Sequence, residues 1–475
     1  MSTTATAQPA VMIRKINGER FTPLTLAKKL GAAALLESAS FQRGRERYSF
    51  LLLKEAFRVF QKGDDMFMGR DGATLALRRK SGDILDVLSH FSRQHDGREA
   101  TFPLPTGGIG FLTYEYCRRF DTIRVRDRPD PLGLPDALFL FGSVFLVFDH
   151  YTDTISLVGM NYREKEIDIE RALDETERRI NDLDFNFMAP ARTDWKVERL
   201  ARDDDRETYL RGVSAVKEQI VQGNLLQGVL SRRMQVRTDM PAIEAYRSLR
   251  TGNPSPYMFY LDFGDFQLFG ASPEVHVKVR DGTAAIRPLA GTRRRGAHAV
   301  EDAALEKELL ADPKERAEHL MLVDLARNDL GRVCQPGSVE VTQLMEVERY
   351  SHVMHIVSHV EGKLAEGRTG IDALRATFPA GTVSGAPKIR AIEVIDSLEP
   401  VKRGFYAGVV AHVESDGSLD SCISIRCGLK QGDIVTLQAG AGVVYDSVPE
   451  KEFEETEAKL GALARALGME AEPCM

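Results

Sequence analysis

Two acidic segments of the sequence carry carboxylates at helical spacing. Glu315 and Glu318 are three positions apart, and Glu452, Glu455 and Lys459 stand at i, i+3 and i+7. Residues at these separations share one face of a helix. If the two faces met, they would offer the hard oxygen ligands that Mg²⁺ prefers, with water and substrate oxygens completing its coordination. On spacing alone, the commoner explanation is that glutamates near the start of a helix simply face water.

Two glycine-containing segments are candidates for binding an anion through backbone N–H groups. The segment 440–443 follows a predicted strand, but a dinucleotide fingerprint would need a small residue where this chain has Tyr445. The segment 381–388 has three residues between its glycines, where a phosphate loop has four. It predicts a tight turn before a helix over 387–398. Such a helix either binds a carboxylate or phosphate at its N-terminus or has no role beyond the fold.

Single polar residues give weaker indications. His355 lies among apolar residues, which is typical of a core histidine and also fits a general acid or base. The arginines Arg293, Arg294 and Arg295 follow a Gly-Thr turn and are interpreted as surface charge. Neither a GxSxG nor a GxCxG turn occurs in the chain. Covalent hydrolysis, including glutamine hydrolysis by a thiol, is therefore not indicated.

Composition excludes several classes of function. The 475 residues include 63 Lys and Arg and 70 Asp and Glu, giving a net charge of −7, which argues against nucleic acid as a partner. The longest apolar run, 137–148, is shorter than the roughly 20 residues of a membrane-spanning helix, so no membrane association is expected. The first residues show neither the basic nor the apolar segment typical of a secretory leader, so export is not expected. The five scattered cysteines predict a reduced cytoplasmic location and no zinc site.

The elements that must position these residues mix helices and strands without a regular alternation. Apolar patterns predict strands over 48–53, 137–148, 257–262, 267–270, 275–279, 408–413, 421–429 and 434–439. Helical periodicity and capping residues predict helices over 163–183, 205–223, 312–329, 387–398 and from 447 onwards. This order favours an α+β fold with antiparallel sheets over a doubly wound fold.

One segment predicts a division of the chain into two parts. Residues 184–196 contain Pro190 and show no helical or strand periodicity. We therefore expect an N-terminal part over 1–190 and a C-terminal part over 200–475. The candidate metal, histidine and glycine segments all fall in the second part.

A series of segments in the second part resembles the chorismate-utilising enzymes, in the order typical of that family. They span about residues 205–465 and are GNLLQGVLSRR, ASPE, RPLAGTRRRG, DPKERAEHLMLVDLARNDLGRV, SHVMHIVS, FPAGTVSGAPKIRAIEVID, RGFYAGVV, SCISIRCG and QAGAGVVYDSVPEKEFEETEAK. The resemblance favours a functional interpretation of Glu318, Glu455, His355 and the two glycine segments. It also implies two mainly antiparallel sheets packed as a sandwich with helices outside, and two interleaved parts.

The resemblance implies a magnesium-dependent reaction of chorismate. Glu318 and Glu455 correspond to the metal-binding carboxylates of the family, with Glu315 and Glu452 as support through water. The ion would hold the ring carboxylate and act as a Lewis acid for departure of the 4-hydroxyl group. Glu274 corresponds to the acid that protonates this leaving group. It must be neutral in that role, so we expect burial to raise its pKa.

The same resemblance assigns residues to the rest of the substrate. Arg426 and Tyr406 correspond to residues that bind the enolpyruvyl carboxylate, for which a planar guanidinium is well suited. Further residues are implied as backbone contacts to the ring carboxylate or as lining of the site, and these are Gly440, Ala441, Gly442, Thr382 and Lys459.

Two positions distinguish branches of the family. Enzymes that add water to chorismate carry a lysine base where this chain has Gln227, and a neutral amide can guide ammonia but cannot activate water. Enzymes that make 4-amino-4-deoxychorismate carry a lysine where this chain has Ala290. The combination resembles the anthranilate synthase component I branch, which aminates C2 and then eliminates pyruvate. His355 corresponds to the histidine linked to that elimination.

Other functions remain open at this stage. A related enzyme stops at 2-amino-2-deoxyisochorismate without eliminating pyruvate. A non-catalytic sensor of an aromatic amino acid, or a subunit that only scaffolds a glutaminase, would not require the acidic, histidine and arginine set.

Two further segments resemble the tryptophan-inhibition pocket of the family. They are LLESA at 35–39 and NPSPYMF at 253–259. An apolar wall with a Ser/Glu edge would suit an indole bearing an amino-acid head group, although each segment also reads as an ordinary helix end or turn. The implied inhibitor contacts are Leu36, Glu37, Ser38, Pro256, Tyr257 and Met258. The adjacent segment 41–47 differs from the family pattern.

The source of ammonia is expected to be a second protein. Because the chain has no glutaminase motif, we expect a separate glutamine amidotransferase subunit that channels ammonia to this one. A hetero-oligomer, with a heterotetramer as the specific expectation, follows from the resemblance.

Overall fold

The structure is a computed structural model that describes residues 10–39, 47–78, 82–95, 100–182, 192–200, 205–350 and 353–469. Its strands are β1 (Val11–Asn17), β2 (Ala34–Glu37), β3 (Tyr48–Lys62), β4 (Asp65–Arg70), β5 (Ala73–Ala76), β6 (Ile109–Leu112), β7 (Ala137–Asp149), β8 (Thr154–Met160), β9 (Val197–Leu200), β10 (Gln227–Thr238), β11 (Tyr257–Asp262), β12 (Gln267–Ser272), β13 (Val275–Arg280), β14 (Thr283–Ile286), β15 (Leu289–Arg294), β16 (Glu340–Arg349), β17 (Val353–Lys363), β18 (Gly385–Ala386), β19 (Val409–Val413), β20 (Leu419–Ile423), β21 (Cys427–Gln431) and β22 (Ile434–Val443).

The helices of the same residues are α1 (Pro23–Leu30), α2 (Ile84–Ser92), α3 (Ile169–Asn181), α4 (Asp205–Val221), α5 (Ala242–Gly252), α6 (Ala299–Ala311), α7 (Pro313–Gly331), α8 (Gly370–Thr377), α9 (Lys388–Leu398) and α10 (Pro449–Ala466). Short 3-10 helices occupy Tyr114–Arg119 and Gly381–Val383. No helix in the described part of the chain is long and apolar enough to cross a membrane.

Two long strands, β3 and β7, run through both layers of a sandwich. One layer continues from them through β2, β11, β12, β21, β22 and β10 on one side and β8 and β1 on the other. The other layer continues through β6, β19, β20, β13, β14 and β17. The β3–β7 register shifts between Leu52 and Phe57, and such bulges bend and twist a strand pair. These pairings are antiparallel, so the predicted α+β fold is confirmed.

Alternation along the strands separates two cores. On β11, Phe259 and Leu261 join the core between the layers, together with Val409 of β19. Met258 and Tyr260 point to the opposite face and pack with helices α1, α3, α5 and α10. Successive side chains of a strand point to opposite faces of its sheet. The two-residue alternation of apolar side chains along a strand therefore supplies both the core between the sheets and the core beneath the helices.

The last helix follows the predicted pattern closely. α10 begins at Pro449, and Leu460 and Leu463 within it and Leu467 directly after it are buried, as the spacing predicted. Phe453 packs instead against the cluster that α4 forms with β10 and α9. The apolar face of α10 fixes its rotation, and this rotation brings its acidic face towards α7.

Several predicted elements differ from the structure, and the strand expected over 48–53 extends to Lys62 as β3. The helix expected over 163–183 is shorter, Ile169–Asn181, because the Asp168 side chain accepts a hydrogen bond from the Arg171 N–H and caps it. The strand expected over 421–429 is two strands, because the chain bends at 424–426 between β20 and β21. Arg426 has a φ of 52°, in the left-handed region. Both strands are buried, so the apolar pattern continues across the bend.

The proposed division between the two parts falls on residues that lie partly outside the described ones, since 183–191 are not described. Strands from the two sides of this segment hydrogen-bond to each other: β2 pairs with β11, and β6 pairs with β19. The boundary itself stays a prediction.

Candidate active site

The glycine segment of β22 is enclosed by three polar side chains. A Cβ atom built on Gly442 would lie 2.7 Å from Nε2 of Gln227, and one on Gly440 would lie 2.9 Å from the hydroxyl of Tyr406. The ammonium of Lys459 donates a hydrogen bond to the Gly440 carbonyl over 2.7 Å. Glycine is therefore needed here because neighbouring side chains already occupy the space of a Cβ atom.

The two acidic helix faces lie near enough for their carboxylates to interact, as their spacing allowed. Burial raises the pKa of Glu318 on α7, and the carboxylates of Glu315, Glu452 and Glu455 raise it further. Glu455 in turn forms a 2.5 Å ion pair with Lys459 one turn along α10. The structure thus places all four predicted metal-site carboxylates within electrostatic reach of one another, although they come from helices more than a hundred residues apart.

These carboxylates can accept a divalent cation. Among the described residues, no group of three acidic, histidine or cysteine side chains forms a ready-made metal centre. Mg²⁺ commonly binds through one or two carboxylates and takes its other oxygens from water and substrate. Burial raises the pKa of Glu318 and of Glu452, and repulsion from neighbouring carboxylates raises it further, so a cation between α7 and α10 would relieve this repulsion. The donor set therefore fits Mg²⁺.

Glu315 is held by a cation of the protein itself. Arg293 donates a 3.1 Å hydrogen bond to Glu315 and further hydrogen bonds to Asp312 and Glu308. The interpretation of Arg293 as surface charge is therefore wrong: its side chain is 23% exposed and bonds three carboxylates. Arg294 is 66% exposed and fits that interpretation. This pairing fixes the position of Glu315, which is compatible with the supporting role that the resemblance implies for it.

Arg426 and Tyr406 lie next to each other deep in the protein. Burial lowers the pKa of Arg426, while Tyr406, Glu455 and Glu274 favour its charged form. Burial raises the pKa of Tyr406 to about 12, so its hydroxyl keeps its proton at neutral pH. A deep guanidinium beside a phenol donor is a suitable receptor for a carboxylate, because the anion compensates the cost of burying the cation.

Glu274 is the group whose environment most clearly matches its predicted role. Burial raises the pKa of its carboxyl to about 8, although a hydrogen bond with the Thr382 side chain and the charge of Arg426 act to lower it. The group is therefore mostly protonated at neutral pH and can act as a general acid. Nearby, the buried Oε1 of Gln227 has no hydrogen-bond partner among the described residues. Buried polar atoms normally have partners, so this oxygen is available to accept a hydrogen bond from a ligand or water.

His355 reaches the same site from β17. Its Nδ1 donates to the Gly291 carbonyl over 3.1 Å and lies 3.0 Å from the Thr292 hydroxyl. Burial lowers its pKa to about 4, and the charges of Arg426 and Lys459 act in the same direction. The imidazole is therefore neutral at pH 7. With Nδ1 as the donor, Nε2 is left to accept a proton.

Comparison with known proteins agrees with this geometry. Residues 45–465 match the family described as chorismate binding enzyme. The chain is 62% identical over 461 residues to anthranilate synthase component 1 of Spirochaeta aurantia, covering 97% of this chain and 96% of that one. It is 40% identical over 458 residues to anthranilate synthase component 1 of Aquifex aeolicus, covering 94% and 92%. The chain belongs to the chorismate-binding enzyme family.

Solved structures in this family have the same fold. The structure of anthranilate synthase component I from Streptococcus pneumoniae superposes with a TM-score of 0.80 at 34% identity, covering 88% of this chain and 92% of that one. The menaquinone-specific isochorismate synthase of Escherichia coli superposes with a TM-score of 0.74 at 21% identity, covering 98% and 96%. The second comparison concerns the fold alone.

Away from the candidate active-site residues, the enzyme has a cavity of about 470 Å³ between β2, β11 and the other layer of the sandwich. It is lined by all six residues that the resemblance gave as inhibitor contacts, namely Leu36, Glu37, Ser38, Pro256, Tyr257 and Met258. The structure therefore unites two segments that are more than two hundred residues apart. The hydroxyl of Tyr257 donates a 2.8 Å hydrogen bond to Asp420 on the far side of the cavity.

The carboxylate of Glu37 is not free to bind a ligand. It accepts hydrogen bonds from the hydroxyl of Tyr246 over 2.7 Å and from Arg250 over 2.9 Å. Both partners belong to α5, on the helix face of β2. The side chain of Glu37 therefore holds β2 against α5, and the cavity is bordered by other parts of this segment.

Sequence reasoning missed the residues that line this cavity from other elements. They include Phe50 on β3, Arg287 after β14, His359 on β17 and His412 on β19. Each lies in a segment whose sequence is typical of an ordinary strand. The local sequence does not distinguish a side chain that faces a cavity from one that faces solvent or the core. Only the packing of the two layers brings them together.

Proposed function

We propose that this chain is the large subunit of anthranilate synthase, which converts chorismate and ammonia to anthranilate, pyruvate and water in tryptophan biosynthesis. The proposal rests on the side chain of Gln227, which is an amide rather than an amine and packs against Gly442. Relatives of this chain are named anthranilate synthase component 1. A neutral amide next to the glycine segment favours ammonia over water as the nucleophile. The alternatives of an aminating enzyme without elimination and of a sensor are not favoured by these relatives.

In the proposed binding mode, two receptors hold the two carboxylates of chorismate. Arg426 and Tyr406 bind the enolpyruvyl carboxylate through charge-assisted and neutral hydrogen bonds. The backbone of 440–442 contacts the ring carboxylate, with Lys459 behind it. Mg²⁺ bound between Glu318 and Glu455 would supply Lewis-acid polarisation and would neutralise the ring carboxylate.

In the proposed amination, ammonia forms a bond to C2 while the ring double bonds shift and the C4–O bond breaks. Glu274 gives its proton to the departing hydroxyl, which leaves as water, and its raised pKa keeps that proton available at neutral pH. In the elimination that follows, the C2 proton is lost and the enolpyruvyl group departs and gains a proton to become pyruvate. The neutral His355 assists this proton transfer.

Regulation and partners belong to the same proposal. A glutamine amidotransferase subunit supplies ammonia and forms a hetero-oligomer with this chain. The name "component 1" of the relatives supports the existence of a second component. Tryptophan inhibits by binding in the cavity of about 470 Å³, which is distinct from the residues assigned to chorismate. Inhibition is allosteric if tryptophan favours a state that binds chorismate weakly. The location is the cytoplasm.

The deciding experiment mixes the purified chain with chorismate, Mg²⁺ and ammonium salt, without any partner protein. Formation of fluorescent anthranilate with equimolar pyruvate supports the proposal. Isochorismate as the product would refute the role of Gln227, and accumulated 2-amino-2-deoxyisochorismate would refute the elimination step. Chelation of Mg²⁺ with EDTA serves as the matched control for metal dependence.

A further inference from the structure

Arg403, in the loop between α9 and β19, is the largest fully buried side chain among the described residues, with 0% exposure. A guanidinium can be buried only when its charge and its N–H groups are satisfied. Nε and Nη2 of Arg403 donate to the two oxygens of Glu399 over 2.8 and 2.7 Å. This bidentate pair compensates the charge and leaves other N–H groups for the backbone.

The remaining donors of Arg403 bind two separate chain segments. Nη1 donates to the carbonyl of Val383 over 2.7 Å, and Nη2 donates to the carbonyl of Val229 over 2.6 Å. Val383 directly follows Thr382, and Val229 stands two residues after Gln227 on β10. The guanidinium thus fixes the backbone beside two of the residues assigned to the site.

A third residue of the site lies against the same group. The guanidinium carbon of Arg403 is 5.7 Å from the ring centre of Tyr406 and 4.5 Å from that of Tyr114, which lies closer. Such contacts between a cation and aromatic rings are attractive. Arg403 therefore contacts the segments of Gln227, Thr382 and Tyr406, which are distant from one another in the sequence.

Arg403 is itself held firmly in place. Its backbone N–H donates to Glu115 over 2.6 Å, and the N–H of Gly404 donates to the same carboxylate over 3.0 Å. Its partner Glu399 also accepts hydrogen bonds from the N–H and hydroxyl of Ser231, over 2.9 and 2.8 Å. Because Ser231 also belongs to β10, the Arg403–Glu399 ion pair is hydrogen-bonded to this strand at two residues, Val229 and Ser231.

We infer that Arg403 is a positioning residue for amination, which sets the mutual placement of Gln227, Thr382 and Tyr406 without itself touching the substrate. The inference rests on the proposed function. Its physical basis is the planar guanidinium group, whose N–H groups point at fixed angles to the acceptors on Glu399, Val383 and Val229. A lysine at this position would keep the charge but could not reach the same acceptors, because its donors radiate from a single atom.

The test is steady-state kinetics of Arg403→Lys in the full chain, with chorismate and ammonium varied separately. We expect the KM values for chorismate and ammonia to rise together and kcat/KM to fall by roughly 100-fold, the effect of about 1 Å of misplacement. We also expect a measurable fraction of 2-amino-2-deoxyisochorismate to be released. A variant that was merely less stable would lose active fraction, and so kcat, while both KM values stayed unchanged.

Arg375→Lys is the matched control. Arg375 also bridges two elements, through Asp83 and Asp86, but none of its hydrogen bonds reaches a segment of the site. We expect it to keep wild-type KM values. Wild-type KM values in folded Arg403→Lys, or equal changes in the control, would overturn the inference.

If Arg403→Lys does not fold, Glu399→Gln decides the question. It removes the charge that orients the guanidinium and keeps the size of the side chain, so a smaller rise of both KM values is expected. Unchanged KM values in that variant would count against the inference. An inactive wild-type chain would instead count against the proposed function, so the two failures are distinguishable.

Discussion

His355 and His359 belong to the same strand, β17, and stand four residues apart, yet they belong to different sites. Burial lowers the pKa of His355, and Arg426 and Lys459 lie near enough for their charges to lower it further. His359 lines the cavity of about 470 Å³ that contains the proposed inhibitor contacts. At about 3.3 Å per residue, the two histidines are about 13 Å apart along the strand. One strand therefore borders both the candidate active site and the candidate regulatory cavity.

This relationship supplies a matched pair of variants. His355→Met should stall the reaction at 2-amino-2-deoxyisochorismate, with anthranilate formation reduced about 100-fold or more, as is typical for loss of a general acid or base. Chromatographic separation of the products measures the ratio of intermediate to anthranilate. His359→Met, with the same change on the same strand, should leave that ratio at its wild-type value. Normal anthranilate output from His355→Met would contradict the role of His355.

Glu274 predicts the pH dependence of the reaction. Its carboxyl must be protonated to act as an acid, so kcat should fall as the pH rises through about 8, the raised pKa of this group. Glu274→Gln should reduce kcat by about 100-fold or more, and its residual activity should lack that alkaline decrease. A pH profile of both proteins from 6 to about 10 checks this. An unchanged alkaline limb in the variant would assign the limb to another group.

The same pKa shift predicts a pH-dependent stability. Because burial raises the pKa of Glu274 from 4.5 to about 8, the folded state keeps a proton that the unfolded state releases in this range. Folding stability therefore falls as the pH rises through that window. Thermal unfolding of Glu274→Gln should show a smaller loss of Tm across the window than the wild type. An identical pH dependence in both proteins would mean that the carboxyl is not protonated in the folded state.

The carboxylates of α10 predict how metal dependence should respond to substitution. Glu455→Gln should raise the Mg²⁺ concentration for half-maximal activity by roughly 10- to 100-fold, the range found when a metal site loses a supporting group. Mg²⁺ titration at fixed chorismate measures this shift. Glu454→Gln, on the exposed side of the same helix, is the control and should titrate like the wild type. A wild-type Mg²⁺ requirement in Glu455→Gln would remove its metal role.

A substitution in the proposed regulatory cavity should change tryptophan inhibition without changing chorismate turnover. Ser38→Phe adds a ring to a wall of the cavity and should raise the tryptophan concentration for half-inhibition by about tenfold or more, equivalent to about 1.4 kcal/mol of binding free energy. Chorismate turnover without tryptophan should stay close to wild type, because the variant lies outside the candidate active site. Ser214→Phe, on the exposed face of α4, controls for a surface phenylalanine. Unchanged inhibition would place the tryptophan site elsewhere.

Most of the predicted elements are present in the structure because each depends on neighbours in the chain, although other elements, such as β10 and α5, were not predicted. β11 occupies the predicted residues 257–262, and α7 begins at Pro313 after the Asp312 cap, as predicted. The strand predicted over 421–429 was wrong at its centre because the turn at Arg426 interrupts an apolar run without a glycine or proline signal. A non-glycine residue at positive φ is held by its tertiary surroundings, which the local pattern does not contain.

The sequence by itself determined the residue types of the site, the spacing of the acidic pairs on their helices and the resemblance that joined them. Tertiary structure alone decided that the carboxylates of α7 and α10 lie near enough to interact, that Glu274 is buried enough to stay protonated, and that Arg403 connects three segments. The reason is physical: helical spacing and capping act over a few residues. Repulsion between carboxylates, desolvation and hydrogen bonds across the sandwich depend on distances that exist only after the chain has packed.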